Sequence, residues 1–74
     1  MPKLTNISGT EAVKAFLRFG YIHTHTSGDH AILQKSNTHT LSIPLHKEVA
    51  QFLLKAQIKR AEISLDQFLK ALKK

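Results

Sequence analysis

The chain is predicted to be an α+β domain in the order α-β-β-β-α-α, with a three-stranded antiparallel sheet and its helices packed on one sheet face. Three observations predict this. Two capping boxes, Ser8-Gly9-Thr10-Glu11 and Ser64-Leu65-Asp66-Gln67, mark helix starts toward the two ends of the 74 residues. Between Tyr21 and Ile43 the apolar spacing changes from helical to alternating. Gly20 and Pro44 punctuate that change on either side. The length allows one small core, so residues 1–74 are expected to form a single domain.

The first helix is expected over residues 9–19. Val13, Phe16 and Leu17, with Ala12 beside them, recur at helical spacing, while Lys14 and Arg18 fall on the other face. Gly20 supplies a left-handed stop. From Tyr21 the period becomes two, with Tyr21, His23 and His25 on one strand face and Ile22, Thr24 and Thr26 on the other. Ser27-Gly28-Asp29 turns the chain into a second strand from His30 to Lys35, and Lys35-Ser36-Asn37-Thr38 turns it into a third from His39 to Ile43. Short turns imply an antiparallel meander with one packed and one wet face. Pro44 ends it, because proline cannot donate to a ladder. After the loop Leu45-His46-Lys47, an apolar face traced by Val49, Phe52, Leu53 and Ala56 through Ala61 predicts a second helix, with Lys55, Lys59 and Arg60 pointing elsewhere. The last helix is expected over residues 65–72, with Phe68 and Leu69 inward.

Hydrophobic residues make up 42% of the chain, enough to offset folding entropy. Cysteine is absent, which excludes disulfides, thiolate nucleophiles and cysteine-based zinc sites. No stretch has the apolar length of a signal peptide core or a membrane span, so a cytoplasmic protein with no membrane association is expected. Eleven Lys and Arg against five Asp and Glu give a net charge of +6. Such a field attracts polyanions, making nucleic acid the first class of partner and an acidic protein the second.

Five histidines invite a metal reading. His23 and His25 have a two-ligand spacing and His39 could lie across the sheet. Without cysteines or a His-Glu-x-x-His pattern, exposed polar residues on the wet face explain them better, and neither a metal nor another cofactor is expected. His30 differs by its position. It follows the Gly28 turn and opens a strand, so the sheet holds its backbone while the ring can lie at the surface. A histidine so placed can move a proton near neutral pH, as cleavage of RNA through its own 2′-hydroxyl requires, and Asp29 could orient its ring. On residue types alone, a turn histidine with no role fits better. His46 and Lys47 precede the second helix, whose amides could bind an anion; they are either phosphate contacts or ordinary loop residues.

The chain as a whole resembles the HicA toxins of bacterial and archaeal toxin–antitoxin systems. Ser8-Gly9-x-Glu11-x-Val13-x-x-x-Leu17 followed by Phe19-Gly20-Tyr21 is similar to the family's opening helix and Gly-aromatic step. Gly28-Asp29-His30 resembles the Gly-Ser-His segment that carries its catalytic histidine, and Ile43-Pro44-Leu45-His46 resembles its Val-Pro-x-His segment. Leu54 through Ser64, then Phe68-Leu69, resemble its closing helix and tail. The resemblance implies a double-stranded RNA-binding-domain-like fold, metal-independent endonucleolytic cleavage of mRNA, and neutralisation by a HicB antitoxin that covers the active site. On this basis His30 is the catalytic residue and Gly28 shapes its turn; Asp29, His46 and Lys47 are substrate-binding candidates. Two departures accompany the likeness. Asp29 stands where the family commonly has Ser, putting negative charge where an RNA phosphate would approach. Glu48-Val49-Ala50-Gln51-Phe52 replaces a Gly-Thr-bearing stretch, which suggests an earlier start for the second helix. The same fold and charge would also suit a non-catalytic RNA-binding module, or an accessory subunit that docks an acidic protein.

Overall fold

The computed structural model describes Leu4 and residues 6–72. Its elements are α1 (Gly9–Leu17), β1 (Ile22–Ser27), β2 (His30–Gln34), β3 (Leu41–Pro44), α2 (Gln51–Arg60) and α3 (Leu65–Leu72). This is the predicted α-β-β-β-α-α order, an α+β arrangement like that of the double-stranded RNA-binding domain.

Both halves of the first capping box form: the Ser8 amide donates to Glu11 Oε1 (2.9 Å) and the Glu11 amide to Ser8 Oγ (3.1 Å). α1 buries Ala12, Val13, Ala15 and Phe16. Leu17, expected inward, lies at the rim of that stripe and is exposed, while Ala15 takes the buried position. The helix also ends two residues early. The Phe19 and Gly20 amides reach back only three residues, to Phe16 and Leu17 carbonyls, which tightens the last turn before Gly20 swings the chain out at φ 95°.

The strands pair in the order β1-β2-β3, both pairs antiparallel, with β2 in the centre. Ala31 and Leu33 of β2 and Leu41 and Ile43 of β3 share one face and are fully buried against Phe16, Leu54 and Phe68. The Phe16 and Phe68 rings meet at 4.9 Å between centroids. β3 starts at Leu41 rather than His39, and Pro44 is its last residue. In β1 the expected sharing of a face by His23 and His25 fails for a specific reason. His23 pairs with Leu33 and His25 with Ile32, so Thr24 is an extra residue, a bulge that breaks the two-residue alternation. The Thr24 hydroxyl secures it by donating to the Ile32 carbonyl (3.2 Å).

α2 begins at Gln51, later than the altered sequence at 48–52 suggested, and its first residues have no side-chain cap. Its buried face is Leu54, Ile58 and the following Ala61, whereas Phe52 is 73% exposed and Ala56 is exposed as well. The apolar stripe counted from Val49 had the wrong phase, because Val49 is a buried loop residue held by its amide on the Ile7 carbonyl (2.8 Å) rather than part of the helix. α2 lies along β3: the Ser42 amide donates to Gln57 Oε1 and the Arg60 guanidinium to the Thr40 carbonyl, both at 3.4 Å. The second capping box opens α3, with the Ser64 amide on Gln67 Oε1 (2.9 Å) and the Gln67 amide on Ser64 Oγ (3.0 Å). Phe68 is fully buried, as expected, and Leu69 is half-buried.

Candidate active site

Ladder geometry brings together two segments that are far apart in sequence. Gly28 and Asp29 form a two-residue turn on the Ser27–His30 pair, with positive φ at Gly28 (61°) and not at Asp29, the pattern that suits the twist of a tight hairpin. On the other side of β2, His30 pairs with Pro44, and one residue further the Leu45 amide donates to the Asp29 carbonyl (2.6 Å). The chain leaving β3 therefore passes beside the hairpin turn. It is also clamped from behind, where the Gly9 amide at the start of α1 donates to the His46 carbonyl (2.9 Å). His46 is thus fixed by α1 on one side and by the turn on the other.

The side chains complete the connection. His46 Nε2 donates to Asp29 Oδ2 at 3.0 Å, although the two residues are 17 positions apart. His30 Nδ1 stands 2.9 Å from the other carboxylate oxygen, Oδ1. One carboxylate thus holds two imidazoles. The side chains of His30, His46 and Asp29 are 47%, 54% and 61% exposed, so the cluster is open to a large ligand. The hydrogen bond from His46 holds the Asp29 carboxyl below its ordinary value. Partial desolvation opposes this, while the backbone amide of Asp29 and the charges of His30 and His46 reinforce it. Asp29 is therefore ionised at neutral pH and can only accept, which makes His46 Nε2 the donor. His30 Nε2 and His46 Nδ1 have no partner among the described residues. Two free ring nitrogens beside a fixed anion can take up and give back protons, with the carboxylate offsetting the positive charge that a ring acquires.

Of the residues singled out from the sequence, Gly28, Asp29, His30 and His46 come together and Lys47 does not. Lys47 is exposed in the loop after β3 and makes no hydrogen bond or ion pair among the described residues. Two expectations change. Asp29 is not a bare charge in the path of a phosphate, because both its oxygens are engaged by histidines. His46 does not sit over the amides of α2, which starts at Gln51; its ring turns to Asp29 instead. A separate open cleft of about 450 Å³ at the far end of β3 is lined by His39, Ala56, Lys59, Arg60 and Glu62, so part of the basic surface lies away from the histidine pair.

The family model for the HicA toxin of bacterial toxin–antitoxin pairs matches residues 9–63. The chain belongs to the HicA toxin family. The match begins at Gly9, the residue clamped on His46, and takes in the hairpin turn, the whole sheet and α2, leaving α3 outside it. No curated protein and no solved structure matches this HicA chain. Among the described residues no helix is long and apolar enough to cross a membrane.

Proposed function

We propose that this HicA protein is a metal-independent endoribonuclease that cleaves mRNA with His30 as the catalytic residue, and that a HicB-like antitoxin neutralises it by covering the histidine pair. The observation that carries the reading is the placement of His30 on the Asp29 carboxylate at an exposed turn, in a chain of the toxin family. His30 Nε2 faces away from that contact and is free to take a proton from a ribose 2′-hydroxyl or to give one to a leaving oxygen. Asp29 acts through the rings as a positioning residue, and Gly28 gives the turn that presents them. Lys47 is a phosphate contact in the loop next to His46. The net charge of +6 supports both partners, since RNA and an acidic antitoxin are drawn by the same field.

The test is incubation of the purified protein with several mRNAs at physiological salt, with a chelator present. The expected result is internal cleavage that persists with the chelator and stops when a HicB-like protein encoded by a neighbouring reading frame is added. Salt-dependent binding of every transcript with no cleavage would refute the reading and leave a non-catalytic RNA-binding module.

A further inference from the structure

We infer that His46 is a second catalytic residue, dividing the two proton transfers of RNA cleavage with His30 across the shared Asp29 carboxylate. The inference rests on the endoribonuclease reading above and deepens it. Cleavage through the 2′-hydroxyl forms the O2′–P bond and breaks the P–O5′ bond on opposite sides of one phosphorus. One proton must leave O2′ while another arrives at O5′. A single imidazole is poorly placed to serve both sides of an in-line displacement, whereas two rings held apart on one anchor can flank it. Asp29 is such an anchor, with His30 Nδ1 at 2.9 Å on Oδ1 and His46 Nε2 at 3.0 Å on Oδ2. Each ring spends one nitrogen on the carboxylate and keeps the other free, and both rings are about half exposed.

The balance closes without a co-reactant. A neutral ring takes the 2′-hydroxyl proton as O2′ bonds to phosphorus, and the protonated ring gives its proton to O5′ as that bond breaks. The products are a 2′,3′-cyclic phosphate and a 5′-hydroxyl. One imidazolium and one neutral imidazole stand beside Asp29 before and after, with their places exchanged, so the carboxylate faces the same total charge throughout. Proton exchange with water restores the starting state. A clamp role alone would explain the Asp29–His46 bond, but it would make no use of His46 Nδ1.

The deciding experiment uses an RNA whose scissile 5′-oxygen is replaced by sulfur, because a thiolate leaves without needing a proton. His46→Gln and His30→Asn are the variants, since the Gln and Asn amide nitrogens stand roughly where His Nε2 and Nδ1 stood and can keep contact with Asp29. On ordinary RNA each variant is expected to lose about 10²-fold or more in rate. On the sulfur-containing RNA, one variant and only one is expected to return to within about tenfold of wild type, identifying its histidine as the acid. Wild-type cleavage of ordinary RNA by His46→Gln, or rescue of both variants or of neither, overturns the inference while leaving the endoribonuclease reading intact. A wild-type protein that cuts neither RNA overturns both. If His46→Gln does not fold, recovery of His46→Ala cleavage by added imidazole decides the same question, and lack of recovery counts against it.

Discussion

Gly9→Ala gives the sharpest test of how the fold holds the site. Gly9 opens α1 with an ordinary helical backbone, so replacing it by alanine should help the helix, by at most about 1 kcal/mol. Packing reverses the sign. A β-carbon at this position would lie 2.6 Å from Leu45 Cα and 2.9 Å from the Pro44 carbonyl carbon, and would press directly on the Pro44 oxygen. Carbon atoms settle near 3.5–4.0 Å, so α1 and the β3–α2 loop must part by about 1 Å. Overpacking against backbone costs about 1–3 kcal/mol. Losing the Gly9–His46 hydrogen bond adds about 1 kcal/mol. The net expectation is a destabilisation of about 2–3 kcal/mol, or roughly 10–20 °C in melting temperature for a domain of this size. Moving His46 by about 1 Å should also cost on the order of 100-fold in cleavage rate for the molecules that remain folded. Gly28→Ala is the contrasting control. Its φ of 61° strains any side chain, but nothing lies within 4 Å of an added β-carbon, so its cost is backbone strain alone, about 1–2 kcal/mol. Thermal unfolding followed by circular dichroism measures both. If Gly9→Ala melts at or above the wild-type temperature, the clamp between α1 and the His46 loop is not tight.

Asp29→Asn keeps one acceptor oxygen but puts an amide nitrogen where the second acceptor was, so one imidazole is released. A roughly 10- to 100-fold fall in kcat is expected with KM little changed, and unchanged kcat in steady-state cleavage assays would remove Asp29 from the mechanism. Because the hydrogen bond from His46 lowers the Asp29 carboxyl in the folded state, the carboxylate's contribution to stability is fully present above the ordinary value of 3.8. It should be lost as pH falls through the lowered folded value, so in acid titrations wild type should lose more stability than Asp29→Ala over that range, and parallel curves would contradict the assignment. Phe68→Ala, emptying a fully buried site, should cost about 3–5 kcal/mol, whereas Phe52→Ala, at 73% exposure, should stay within about 0.5 kcal/mol; urea unfolding compares the two.

Much of the fold was readable because it rests on local chemistry. Ser8 with Glu11 and Ser64 with Gln67 announce their helices through side chains that bond amides three residues away, and both boxes form. Leu41 and Ile43 alternate as a buried strand face should. The misreadings arise where one residue changes a phase. Val49 is apolar because it fills the core from a loop, and counting from it rotated the apparent face of α2 so that Phe52 seemed inward. Thr24 is inserted into β1 as a bulge, and nothing in the run Ile22-His23-Thr24-His25 marks which residue is extra.

The candidate site was legible in its parts and not in its connection. His30 and His46 are each distinctive by position, and Asp29 departs from the residue its family commonly has there. What joins them is the antiparallel register of His30 with Pro44, which brings positions 29 and 46 side by side. That register depends on pairing across the 35–40 turn, which no local pattern encodes. In the folded chain the apparent liability at Asp29 is the anchor of the pair.

Multiple-turnover cleavage rates of wild type and His30→Asn on the same mRNA, with melting temperatures measured in parallel, decide whether His30 carries out RNA cleavage at this site. The expected result is a loss of about 10²-fold or more in rate at an unchanged melting temperature. Equal rates for the two proteins would remove His30 from the chemistry.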